Sequence, residues 1–78
     1  GTHVAGTVGG TQWGVSKNTI VYPLRVLGCG GSGMWDQVIA GMDWVTANAR
    51  RPAVANMSLG GGVNAAVNQA ATAMVNAG

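Results

Sequence analysis

Four side chains in this 78-residue chain stand out as able to do chemistry: one histidine, His3; one cysteine, Cys29; and two aspartates, Asp36 and Asp43. An imidazole can act as a general base near neutral pH, but it needs a nucleophile within reach and an acid to orient it. No serine or aspartate close to His3 in sequence supplies either role. Cys29 paired with His3 would be a formal thiol and base, again with no third group to orient the ring. As the only cysteine, Cys29 is either a free thiol or half of a disulfide whose partner lies outside this sequence. Asp36 and Asp43 both fall in one predicted helix, and two carboxylates are too few for a calcium site within this stretch.

The glycines offer a second kind of chemistry, since a chain without Cβ atoms lets a ligand approach the main chain itself. Gly28, Gly30 and Gly33 match G-x-G-x-x-G after a predicted strand and before a predicted helix, and Gly60, Gly62 and Ala65 match a looser form. A dinucleotide fingerprint also requires an acidic residue about 20 residues further on, to bind the ribose hydroxyl. Counted from Gly33 that window is Ala53 to Leu59, which contains no acid, and no carboxylate follows Asp43 anywhere. The P-loop signature is absent as well. A nucleotide-binding βαβ module therefore remains only as an alternative.

These groups must be positioned by the elements between them. Val4, Ala5 and Val8 recur at helical spacing and Gly9 and Gly10 stop the run, so the spacing predicts a helix from Gly1 to about Val8. Thr11 to Thr19 reads as a polar loop. Ile20 to Leu27 is an apolar strand in which Pro23, lacking a ladder donor, favours an edge or bulged position. Met34 to Arg50 is helical, with Val38, Met42, Val45 and Ala49 on one stripe, and Arg50 and Arg51 lie where cations favour the helix dipole ahead of Pro52. Ala53 to Gly62 reads as a buried strand released into three glycines, and Val63 to Ala77 as a last helix turning Val67, Ala70, Ala71 and Met74 inward. Two strands joined by a crossover helix predict a right-handed parallel βαβ unit, hence an α/β fold.

Composition sets the limits. Hydrophobic residues make up 47% and charged residues 8%, closer to the inside of a larger globule than to a free-standing domain with its own solvated shell. The chain, which starts at Gly1 with no capping residue before its first helix, is expected to be an internal piece of a longer protein. A net charge of +2 from scattered residues makes no footprint for nucleic acid. No apolar run approaches the roughly 20 residues of a membrane span.

Taken together, GTHVAGT at Gly1 to Thr7, the apolar segment ending in Leu27 before a Gly-Ser-Gly turn, IAGMDWV at Ile39 to Val45, and NMSLGGG at Asn56 to Gly62 resemble the subtilisin-like serine proteases, the subtilases. The resemblance is nearest to the proteinase K and aqualysin branch and covers essentially all 78 residues in order. It implies a partial peptidase S8 catalytic domain over residues 1–78, the parallel βαβ portion of a three-layer α/β/α fold. It also implies a secreted serine endopeptidase acting on polypeptides as a monomer, with no nucleic-acid or membrane partner.

Transferred residue by residue, the resemblance assigns no triad member to this stretch. Gly1 matches the glycine after the family's general-base histidine, which is expected immediately before Gly1. His3 matches the second, non-catalytic histidine and is expected to be a helix residue with a structural hydrogen bond. The family's aspartate, oxyanion asparagine and nucleophilic serine fall outside the chain. The resemblance instead implies a substrate cleft: an extended peptide pairing with Gly31, Ser32 and Gly33 on one side and with Ser58, Leu59 and Gly60 on the other. Ser58, Leu59 and Gly60 would line the primary pocket, and Trp35, Val38 and Leu59 an apolar pocket further upstream. Cys29 matches a position that in aqualysin-like members forms a disulfide with a cysteine just before the catalytic histidine. No cofactor is implied for this segment, although calcium sites are common in the family. A catalytically inactive, peptide-binding relative is the other alternative.

Overall fold

The structure, a computed structural model, describes all 78 residues. It contains three helices, α1 (Thr2–Gly9), α2 (Trp35–Asn48) and α3 (Ala65–Ala77). Each lies where the apolar spacing predicted it, within two residues at every boundary. The boundaries have local causes. The Asn64 side chain accepts hydrogen bonds from the backbone N–H groups of Ala66 at 3.0 Å and Val67 at 3.1 Å, so α3 starts after Asn64. Asp36 occupies the first turn of α2, where a carboxylate suits the positive end of the dipole. At the other end, Arg51 folds back to donate to the carbonyls of Thr46 at 2.6 Å and Ala49 at 3.2 Å, satisfying acceptors that the helix leaves open.

The predicted sheet is not present. The chain has no strand and no ladder, so the expected parallel βαβ portion of an α/β fold is not what these residues form. Ile20 to Leu27 and Ala53 to Leu59 lack regular secondary structure beyond a single bend at Leu27. A strand exists only through its partner, and no backbone hydrogen bond joins these two segments to each other. The apolar patterning was read correctly as non-helical, but it fixes neither pairing nor burial: Ala53 to Gly62, expected as a buried strand, is exposed except at half-buried Leu59, with Val54 98% exposed.

Helices α2 and α3 pack together and hold the core: Val38 (3% exposed), Met42 (4%) and Ala70 (7%). Val26, Trp35, Ile39, Leu59, Val67, Ala71 and Met74 surround it, half-buried. Val38 and Met42 of the stripe predicted on α2 thus pack with Val67, Ala70, Ala71 and Met74 of α3, whereas Val45 and Ala49 are half-buried outside this cluster. Gly41 lets α2 approach the first extended segment, because a Cβ there would sit 2.8 Å from Val26 Cγ1 and 3.2 Å from Leu24 Cδ2. The core is small: only four of 78 residues are buried, and the chain exposes 6117 Å². A compact monomer of 7.8 kDa exposes about 4,400 Å². Large apolar side chains such as Val54 (98%) and Trp13 (84%) lie open.

Candidate functional site

Two glycine-rich turns follow the two extended segments and meet over the N-terminal end of α2. In the first, the Gly28 N–H donates to the Ser32 carbonyl at 2.8 Å and the Gly31 N–H to the Gly28 carbonyl at 2.9 Å. Gly31 sits at φ +86°, a conformation that glycine adopts without penalty. This closes a tight loop and sends Ser32 and Gly33 past Leu27. In the second, the Leu59 N–H bonds back to the Met57 carbonyl at 3.0 Å, and Asn56 Nδ2 donates to Ser58 Oγ at 3.1 Å. The chain is thereby kinked at Ser58 and runs out into Gly60 to Gly62.

Between these turns lies a crevice of about 300 Å³ walled by Leu27, Gly31, Ser32, Gly33, Trp35, Val38, Ser58, Leu59, Gly60 and Gly61. All eight residues singled out from the sequence line it. Val38 and Leu59 form its apolar floor, tied to the α2 and α3 core. The main-chain N–H and C=O groups of Gly33, Ser58 and Gly60 have no hydrogen-bond partner within the chain. Exposed donors and acceptors on two facing segments are what an added extended chain can pair with. Leu27 and Gly61 were missed by the sequence reading. The Gly60 to Gly62 run could have pointed to Gly61, whereas nothing separates Leu27 from any other apolar residue before a turn.

The remaining chemistry-bearing residues stand apart. His3 is exposed on α1; its backbone carbonyl accepts from Thr7 Oγ1 at 3.1 Å, but its imidazole makes no hydrogen bond within the chain, so the expected structural bond is not formed. Cys29 is an exposed free thiol in the first turn, with the Arg25 guanidinium 3.5 Å from its sulfur. Asp36 and Asp43 lie exposed on α2, and no group of three or more His, Cys, Asp or Glu side chains gathers anywhere. No helix is long and apolar enough to cross a membrane.

The fold and crevice define a groove lined by main chain on both sides, seated on a two-helix support. The family description "Subtilase family" matches residues 1–78. The extracellular serine proteinase of Thermus sp. (strain Rt41A) is 58% identical over 78 residues, covering all of this chain and 19% of that protein. Alkaline serine exoprotease A of Vibrio alginolyticus is 56% identical over 78 residues, with 15% of its length covered, and Proteinase T of Parengyodontium album is 51% identical over 83, with 28% covered. Among solved structures, a cold adapted subtilisin-like serine proteinase superposes with a TM-score of 0.95 at 53% identity, over 99% of this chain and 28% of that one. This chain belongs to the subtilase family. It spans 19% and 15% of the lengths of the first two relatives.

Proposed function

We propose that these residues form the non-prime walls of the substrate cleft in a secreted, monomeric serine endopeptidase, with the general-base histidine, the aspartate and the nucleophilic serine supplied by other parts of the same protein. The observation that carries this is the crevice itself: Ser32 and Gly33 line it together with Ser58, Leu59 and Gly60, and the main-chain groups of Gly33, Ser58 and Gly60 are unpaired. A polypeptide laid between them would be held through its own backbone, which suits an enzyme that accepts many sequences and must keep the scissile bond in register. Side-chain preference would come from Ser58, Leu59 and Gly60 at one pocket and from Trp35, Val38 and Leu59 at the next. Secretion is supported by the relatives, one of which is named an extracellular proteinase. Cys29 is proposed to pair with a cysteine elsewhere in the protein, in keeping with its exposure. Any calcium bound by the protein is proposed to be held by carboxylates other than Asp36 and Asp43.

The test is hydrolysis of a tetrapeptide p-nitroanilide by the full-length protein, with and without phenylmethylsulfonyl fluoride. Hydrolysis abolished by the reagent is expected. Peptide binding without hydrolysis would replace the enzyme by an inactive relative, and saturable NAD binding would favour the nucleotide alternative.

A further inference from the structure

One buried residue lies outside the core between α2 and α3. It is Gly14, in the loop that follows α1, where an added Cβ would overlap the Gly10 amide nitrogen and lie 2.5 Å from the Gly10 carbonyl oxygen and 2.7 Å from the Gly9 carbonyl carbon. Gly10 is bare for the same reason, since a Cβ there would lie 2.6 Å from the Gly6 carbonyl oxygen. This crossing of two glycines lets the chain double back over the end of α1. The N–H groups of Gly10, Val15 and Ser16 donate to the carbonyls of Gly6 at 2.9 Å, Thr7 at 3.1 Å and Val8 at 2.9 Å, so the loop fills three of the last four carbonyls of the helix. The crossing is itself tied down: the Gly14 N–H donates to the Gly10 carbonyl at 3.0 Å, and Lys17 Nζ donates to the Gly14 carbonyl at 2.8 Å. Gly9 then rests against Thr19 and Val21, where the segment leading to the first glycine turn begins. Helix α1 packs against neither α2 nor α3, so within these residues the clasp is what fixes it relative to the crevice.

We infer that Gly14 is a positioning residue for the proposed reaction: by lacking a Cβ it sets where α1 stands, and α1 carries the general base at its first turn. The inference rests on the proposed function, with that histidine directly preceding Gly1. Every atom that a methyl group at Gly14 would meet is main chain, so no side-chain rotation relieves the clash and the chain must move by about 1 Å. An eight-residue helix with its own backbone bonds moves as a unit, so displacement at its Gly9 end reaches its Gly1 end. Misplacing a proton-transferring group by that distance costs about 100-fold in rate. The crevice is held by its own turns and by the α2 and α3 core, so it stays in place, and the loss falls on kcat and not on KM.

Gly14→Ala in the full-length protein tests this with two measurements. The first is kcat and KM for the tetrapeptide p-nitroanilide, with kcat expressed per molecule that still binds a labelled N-terminal product of cleavage, so that misfolded protein is not counted. The variant should lose about 100-fold in kcat with KM unchanged. A kcat per binding-competent molecule equal to that of the wild type, or a loss carried by KM, overturns the inference. The second does not depend on catalysis: amide hydrogen exchange in both proteins. The amides of α1 and those of Val15 and Ser16 should exchange faster in the variant while α2 and α3 keep their protection, and unchanged exchange in α1 overturns the inference. Should Gly14→Ala fail to fold, Lys17→Met removes the bond to the Gly14 carbonyl without adding bulk to the crossing. It should lower kcat by about 2- to 10-fold, again with KM unchanged, and an unaltered kcat counts against the clasp. If the wild-type protein cleaves nothing, the proposed function fails and the placing of a base fails with it, while exchange still decides whether Gly14 holds α1.

Discussion

Replacing Gly33 with valine in the full-length protein tests the main-chain grip directly. A Cβ at Gly33 would lie 2.9 Å from the Val26 carbonyl oxygen and 3.1 Å from Leu27 Cδ2, both closer than ordinary contact. The turn must shift away from the segment that positions it, and the unpaired N–H and C=O of Gly33 shift with it. Two main-chain hydrogen bonds to a bound peptide would be lost or lengthened, each contributing about 0.5 to 1.5 kcal/mol net. A total of about 1 to 3 kcal/mol corresponds to a fall in kcat/KM of about 5- to 150-fold. The assay compares a hexapeptide with a single-residue ester, which spans the reacting bond but does not reach this wall. The hexapeptide should lose more than the ester does. A thermal scan of the variant separates misfolding from altered binding. Equal losses on both substrates in a folded variant would refute the claim that Gly33 holds substrate by its backbone.

Three further outcomes follow from the packing. The 78 residues alone should unfold without a cooperative transition, because four buried residues are too small a core; a sharp transition with matching calorimetric and van't Hoff enthalpies would contradict this. Met42→Ala in the full-length protein should cost about 2 to 5 kcal/mol in denaturant unfolding, since Met42 is 4% exposed between α2 and α3, and a change within error would show that this core contributes little. Asn64→Ala removes both bonds that cap α3 and should cost about 0.5 to 2 kcal/mol, whereas Asn64→Asp should retain most of the stability.

The helices were legible in the sequence because each satisfies its own backbone, and α2 and α3 announce their buried faces by spacing. Val38 and Met42, and Val67, Ala70 and Ala71, needed no tertiary knowledge to place. Their ends were less so: Asn64 and Arg51 act through particular hydrogen bonds that spacing does not encode. The sheet was misread for the opposite reason. Val21 and Val54 carry strand-like residue types, but a strand takes its backbone partners from elsewhere, and these 78 residues provide none. The crevice became legible only through combined motifs. Ser32 and Leu59 lie 27 positions apart, and no local rule brings two glycine turns together. Even then the crossing of Gly14 over Gly10 stayed hidden, because a glycine's importance lies in what occupies the space it leaves.

The most direct measurement is a crystal structure of the full-length protein with a tetrapeptide bound. The peptide should lie extended between the two turns, its main chain hydrogen-bonded to Gly33 on one side and to Ser58 or Gly60 on the other, with one side chain against Trp35. A peptide bound elsewhere, with only solvent between Ser32 and Leu59, would contradict the account.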